Sequence, residues 1–433
     1  MRTNIINRGI DELTYEIRGI VAVGEELKKL GVPIYWENIG DPVAKGAQIT
    51  PWIKEIVTNH VRDNDSSYGY SPTRGVLATR EFIAQERNHE GGAQITPNDI
   101  LFYNGLGDAI ANVYTYLNQG ARVIGPNPAY PTHSSAEGAH AKTKHITYSL
   151  NPHRNWLPDI EDIRNKVRYN PTVAGILIIN PDNPTGMVYP RRVLEEIISI
   201  AREYDLFVIA DEIYANIVYG DEAFVSLASI IGDVPGIAMR GLSKEVPWPG
   251  SRCGWVEFYN TKKDPMFERY AKALVDAKML EVCSTTLPQT VLPEIFSHNK
   301  YASHITTLAD EYRKKADFAY NTLRRVRGVT APKPAGAFYG AVVFDEDILR
   351  DDQTLPIESN EVRMYIEKAV QGLPRDKRFV YYLMASTGIC VVPLSGMNSE
   401  LEGFRFTLLE PNKERFEHMI NTVATSIKQY LAS

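Results

Sequence analysis

Apolar and polar positions change rhythm twice along the chain. Residues 10–31 carry Leu13, Ile17, Ile20, Val21, Leu27 and Leu30 close to helical spacing, which predicts an amphipathic helix. A stretch punctuated by Pro and Gly follows over 33–46, and helical periodicity returns at 51–62 and 75–90. From about residue 97, short β-rich runs at 100–104, 121–125, 144–148, 175–180, 206–211 and 236–240 alternate with helical stretches, among them 107–118, 159–167, 191–203 and 264–282. Strands that are apolar throughout, without polar alternation, predict a sheet covered on both faces. Their alternation with helices predicts a mostly parallel α/β sheet. After about residue 300 the texture shifts to a long helix (301–326), a strand (337–345), a helix (361–370), strands within 388–395 and 404–410, and a last helix ending near 431. That order predicts a smaller α+β unit.

Composition adds bounds. At ~100–200 residues per domain, 433 residues predict two or three domains. A hydrophobic fraction of 44% with 23% charged residues excludes collagen-like, disordered and disulfide-stapled classes. Lys and Arg total 47 against 53 Asp and Glu, so the net charge of 47 − 53 = −6 offers no global attraction to nucleic acid or anionic lipid. Cys253, Cys283 and Cys390 lie far apart and form no CxxC, so neither a metal site nor a disulfide framework is expected, and the reading is a reducing, cytoplasmic setting. Residues 1–20 scatter charges through any apolar stretch, unlike a signal peptide. The most apolar run, 173–179, is too short to span a membrane.

In open α/β sheets, ligands sit beyond the carboxyl ends of the strands, so the residues following each run carry the chemical interest. After 100–104 comes Asn104-Gly105-Leu106-Gly107-Asp108, which reads either as a tight turn or as backbone N–H groups presented to phosphate. A dinucleotide fingerprint fails, because Ile110 stands where its third glycine belongs. After 175–180, the prolines flanking Asn183 either make a turn or hold its amide stiffly at the sheet edge. Asp211 reads either as a helix N-cap or as a buried carboxylate for a cationic cofactor nitrogen, with Tyr214 three residues on. Lys244, after 236–240, reads either as a solvated charge or as a lysine that loses its proton and attacks a carbonyl. Arg252 follows it by eight residues (252 − 244) and could pair bidentately with a phosphate or carboxylate. An amine, a carboxylate, phenolate donors and an anion cradle together make the set that pyridoxal phosphate requires.

The segments NPDNPTG, ADEIY and GLSK(x7)R, in that order, resemble the class I/II aminotransferases of the fold-type I pyridoxal-phosphate superfamily. NIGDP (38–42) and YGYSPTRGVLATRE (68–81) are similar to its alanine-aminotransferase-like branch. The resemblance spans nearly the whole chain. It implies a large domain, 51–300, with a mostly parallel seven-stranded sheet, a small α+β domain, 301–433, and an N-terminal segment, 1–50, packing with the small domain. By the same resemblance, Lys244 is the Schiff-base lysine and general base, and Asp211 pairs with the pyridinium nitrogen. Tyr214 and Asn183 donate to the ring oxygen. Leu106, Gly107, Ser243 and Arg252 hold the phosphate, Tyr130 stacks on the ring, and Tyr70 reaches the phosphate of a second subunit. Arg405 clamps the substrate α-carboxylate, and Gly40 lines the substrate pocket. The implied activity moves an amino group between an L-amino acid, alanine or another neutral or aromatic one, and a 2-oxo acid such as 2-oxoglutarate. The alternative is another reaction of the same cofactor, such as a carbon–sulfur β-lyase. A homodimer is implied, since Tyr70 and residues 284–286 match positions that complete the partner's site.

The chain departs from the family pattern in places. Pro247 and Trp248 replace a small and an aliphatic residue, so the indole is expected to shape the pocket or a subunit seam. Gly241 stands where many members have serine. Met279-Leu280-Glu281 lacks the arginine of aspartate-specific members, with Lys278 the nearest cation. Residues 345–389 are long and polar enough to suggest an inserted lid.

Overall fold

The computed structural model describes residues 5–13 and 16–433, the side chains of 16–18 excepted. The helix expected over 10–31 is a short 3-10 turn, Ile10–Glu12, followed by a helix, Glu16–Lys29. Residues 14 and 15 and the Ile17 side chain lie outside the described residues. Ile20 and Leu27 of this helix are fully buried, whereas Leu13 is exposed.

A two-residue strand, β1 (Tyr35–Trp36), and the helices Pro51–Asp63 and Leu77–His89 precede the large sheet. That sheet comprises β2 (Ile100–Tyr103), β3 (Arg122–Asn127), β4 (Thr147–Asn151), β5 (Leu157–Pro158), β6 (Val173–Ile179), β7 (Phe207–Asp211), β8 (Gly236–Gly241) and β9 (Gly254–Tyr259). Their order is β2-β9-β8-β7-β6-β3-β4-β5. The pairings among β8, β7, β6, β3 and β4 are parallel. β9 runs antiparallel to both of its neighbours, and the two-residue β5 adds an antiparallel edge to the seven longer strands. Consequently β2, β6, β7 and β8 all end on one side, where Leu106, Asn183, Asp211 and Lys244 follow them. β9 broke the expected pattern because Glu257 sits in its middle. That carboxylate is fully buried and accepts from Trp255 Nε1 at 2.9 Å and Tyr259 Oη at 2.7 Å. Ile176, Val208, Ile209 and Ile237 are 0% exposed. Burial on this scale contributes roughly 1.5–3 kcal/mol per side chain and fixes the strands that carry the site.

The second sheet is antiparallel, in the order β10 (Val329–Thr330), β11 (Tyr339–Phe344), β14 (Gly403–Thr407) and β13 (Val392–Pro393). β12 (Ile389–Cys390) pairs with β1. Its apolar core takes residues from helices Tyr301–Leu323, Asn360–Ala369, Arg375–Thr387 and Lys413–Ala432, together with Ile20 and Leu27. The lid expected at 345–389 is not what the segment forms. Leu349, Leu355, Ile366, Phe379 and Val380 are buried in this core, and the polar residues between them cover its outside. Among the described residues, no helix is long and apolar enough to cross a membrane.

Candidate active site

Each strand end delivers a side chain for a local reason. After β6, Asp182 Oδ2 accepts from the backbone N–H and the hydroxyl of Thr185, closing a rigid turn that holds Asn183 with 3% exposure. Burial pushes the Asp182 carboxyl up to about 7. Asp211 ends β7 and is 3% exposed. Its Oδ1 accepts the Ile213 N–H at 3.1 Å, while Oδ2 lies 3.2 Å from His133 Nε2. The carboxylate thus ties its own turn and faces a ring nitrogen in the interior at the same time. His133 Nδ1 is 3.4 Å from the Tyr114 hydroxyl, extending the chain of contacts.

Two adjoining cavities open above these strand ends. One, about 530 Å³, is lined by Leu106, Gly107, Ser243, Arg252, Asp211 and Ile213, among others. The second, about 340 Å³, is lined by Asn38, Gly40, Asp41, Tyr339 and Arg405, among others. Tyr130, Asn183, Tyr214 and Lys244 line both. Both volumes fall in the ~300–1,000 Å³ range of small-molecule sites.

The larger cavity has an anion cradle at one end. The helix Leu106–Thr115 points its N-terminus there, with the positive end of its dipole. Gly105 has φ +85°, and a Cβ on it would lie 2.6 Å from Arg252 Nη2. Gly107 faces open space, so nothing obstructs approach to its backbone. Arg252 itself holds φ 51°, a strained conformation for a side chain of its size. Its guanidinium is aimed by bonds to the Asn104 and Pro249 carbonyls, each at 3.1 Å. With Asp211 in the same wall, this cavity fits a ligand that is anionic at one end and cationic at the other. A pyridoxal phosphate has that charge pattern.

The smaller cavity is organised by a strap, residues 36–45. Glu37 Oε2 accepts from Thr407 Oγ1 at 2.6 Å, and Lys45 pairs with Glu37 and donates to the Trp36 carbonyl. The strap turns its Asn38 carbonyl to Arg405 Nη2 and its Gly40 carbonyl to Lys244 Nζ, the latter at 2.8 Å. Arg405 is 1% exposed, its Nη1 donates to Asn183 Oδ1 at 3.2 Å, and its Cζ lies 4.6 Å from the centre of the Tyr339 ring. Arg405 Nε is buried and has no hydrogen-bond partner among the described residues, a donor left for an anion in the cavity. Burial holds the Lys244 amine down to about 8, helped by Arg405 and Arg252 and opposed by Asp41 and Asp211. Burial also raises the Tyr214 hydroxyl well above its usual value, so it remains a donor at neutral pH.

The structure therefore brings together Lys244, Asp211, Tyr214, Asn183, Leu106, Gly107, Tyr130, Ser243, Arg252, Arg405 and Gly40. Tyr70 stands apart, 86% exposed and outside both cavities. Trp248 lines neither cavity and packs on the core of the large sheet, so the pocket-shaping role expected of it is not realised; Pro249 reaches the cavity wall instead. Gly241 has no room for a serine, because a Cβ there would sit 2.8 Å from the Cys253 carbonyl oxygen. Lys278 is fully buried, bonded to Asp108 at 3.0 Å and Glu281 at 2.6 Å, and lines neither cavity. His133 and Tyr339 were missed by sequence reasoning. His133 was discoverable as a polar residue three positions after Tyr130, whereas Tyr339 lay inside an apolar strand run.

A family model described as aminotransferase class I and II matches residues 38–423. The chain is 50% identical over 431 residues, 100% of both chains, to an uncharacterized aminotransferase of Methanocaldococcus jannaschii. It is 30% identical over 353 residues to the glutamate-pyruvate aminotransferase AlaA of Escherichia coli, covering 81% of this chain and 85% of that one. Among solved structures, alanine aminotransferase from Pyrococcus furiosus superposes with a TM-score of 0.84 at 27% identity, covering 98% of this chain and 100% of that one. Sequence motifs, sheet order and similarity lead to one assignment: the chain belongs to the class I and II aminotransferases, pyridoxal-phosphate-dependent enzymes of fold type I.

Proposed function

We propose that the chain transfers an amino group between alanine, or another neutral or aromatic L-amino acid, and a 2-oxo acid such as 2-oxoglutarate. It does so as a cytoplasmic homodimer, with the N-terminal segment 1–50 packing with a small domain, 301–433, beside a large cofactor-binding domain, 51–300. The observation that carries this reading is the placement of Lys244 in the wall common to both cavities. The amine is thereby within reach of a cofactor on one side and a substrate on the other. Similarity to proteins named glutamate-pyruvate and alanine aminotransferase supports the alanine branch. The burial of Lys278 against two carboxylates removes the nearest candidate cation for a dicarboxylate side chain.

When bound, pyridoxal phosphate supplies a carbonyl carbon that condenses with amines and a ring that withdraws electrons from the substrate Cα. The chain's own residues do the rest. Leu106 and Gly107 offer backbone N–H groups, and Ser243 and Arg252 side-chain donors, to the phosphate. Tyr130 covers the ring face. Tyr214 and Asn183 donate to the ring oxygen, and Asp211 keeps a proton on the ring nitrogen. Arg405 grips the α-carboxylate, while Gly40 leaves space beside it. Lys244 would take the proton from the substrate Cα and hand it on in a 1,3 shift, across the nitrogen rather than onto it. Tyr70, exposed here, extends to the phosphate of a second copy.

Two measurements test this. Protein loaded with cofactor and given single amino acids should lose its visible absorbance fastest with alanine or another neutral donor, and regain it with 2-oxoglutarate. Pyruvate and ammonia released from cysteine, without such bleaching, would favour the β-lyase. The second is a pH profile. A lysine lowered from 10.5 to about 8 becomes neutral over lower pH. The rate at which the apoprotein captures cofactor should therefore climb with pH, with its midpoint near 8, and level off about one unit higher. A rate still rising steeply above pH 9 would contradict the electrostatics described for Lys244.

A further inference from the structure

Tyr339, the first residue of β11, touches three parts of the site and matches none of the motifs. It is 2% exposed. Its hydroxyl lies 3.1 Å from the Tyr214 hydroxyl, and its ring meets the Tyr214 ring edge-on, with centroids 5.8 Å apart. The opposite demand comes from Arg405, whose guanidinium rests 4.6 Å from the centre of the same ring. The hydroxyl also fills the space beside Gly40: a Cβ there would lie 2.0 Å from it. So glycine at 40 is what admits the Tyr339 hydroxyl.

Counting hydrogens gives the contact a direction. Each tyrosine hydroxyl carries one hydrogen and accepts with its lone pairs. Under the proposed function, Tyr214 spends its hydrogen on the cofactor's ring oxygen. The hydrogen in the 3.1 Å contact must then come from Tyr339. A hydroxyl that accepts a hydrogen bond becomes a stronger donor in turn. We propose that Tyr339 is a positioning residue with two separable actions: its hydroxyl strengthens and aims Tyr214 as a donor, and its ring face supports Arg405. This rests on the role given to Tyr214 above.

Tyr339→Phe keeps the ring and removes the hydroxyl. In the cofactor-loaded enzyme, a weaker donor at the ring oxygen should raise the pH midpoint of the visible absorbance by about half a unit or more. The same variant should lower kcat roughly 3–10-fold and leave KM for the amino donor within about twofold. Tyr339→Leu removes both actions and should in addition raise KM about tenfold or more. A Tyr339→Phe enzyme with the wild-type midpoint and kcat overturns the proposal, even if its melting temperature falls, since lost packing alone does not move the midpoint. Wild-type protein with no visible band would instead sink the reading of the site on which the proposal stands.

Discussion

Replacing Lys244 with alanine is expected to lower kcat by at least ~10⁴-fold and to abolish the absorbance of covalently held cofactor. The size follows from Lys244 acting twice, as the amine that binds the cofactor and as the base that moves the Cα proton. Among the described residues, it is the one lysine lining either cavity. Folding should survive. Among the described residues the side chain makes one hydrogen bond, to the Gly40 carbonyl at 2.8 Å, and such a bond is worth only about 1 kcal/mol net. Lys244→Arg is an instructive control, because it retains the charge and a donor for Gly40 while offering no neutral amine near pH 8. Circular dichroism checks the fold, and single-turnover absorbance checks the chemistry. An alanine variant that transaminates within tenfold of wild type would remove Lys244 from the mechanism.

Asp211→Asn is expected to cost on the order of 10²–10³-fold in kcat with a nearly unchanged shape. The amide keeps an oxygen for the Ile213 N–H but loses the negative charge that holds a proton on the ring nitrogen. Without that proton the ring withdraws electrons from Cα less strongly. His133 grades the effect. It lies 3.2 Å from Asp211 and is 1% exposed, so His133→Ala should disturb the orientation of the carboxylate but spare its charge. A loss of about tenfold is expected there, from displaced geometry alone. Steady-state rates of both variants at saturating cofactor decide the matter. Equal losses in the two would mean that orientation, not charge, is what Asp211 supplies.

The sequence was most readable where local chemistry and long-range structure agree. Apolar runs such as 175–180 and 206–211 became β6 and β7, because strands buried on both faces have nothing polar to interrupt them. β9 was invisible since Glu257, satisfied by Trp255 and Tyr259, mimics a solvent-facing position. The helices Pro131–Ala141 and Thr286–Ser297 were equally hidden. The first sets Pro, Thr, Ser, Gly and His among its alanines, the second carries Pro293 inside it, and tertiary packing outweighs these poor helix formers. Residues that follow a strand end, such as Asp211 and Lys244, could be placed from the motif order. Residues that act through another are harder: His133 offers the signal of its place three positions after Tyr130, although Asp211 is 78 positions away, whereas Tyr339, inside an apolar run and 125 positions from Tyr214, offers none.

The strap over the smaller cavity has a consequence for how such an enzyme diversifies. It positions Arg405 and Lys244 through the main-chain carbonyls of Asn38 and Gly40, which every amino acid possesses. Side chains at 38, 39 and 41 line the cavity, yet the strap's hydrogen bonds to the two cations come from its main chain, and of the three side chains it is the Asp41 charge that acts on the Lys244 amine. Mutational drift at 38 and 39 can therefore redraw the outline offered to a substrate while the reactive framework stays in register, whereas a change at 41 also alters the charge beside Lys244. Gly40 is the exception, pinned by the Tyr339 hydroxyl beside it. Around that fixed point, the strap separates what must be preserved from what is free to vary.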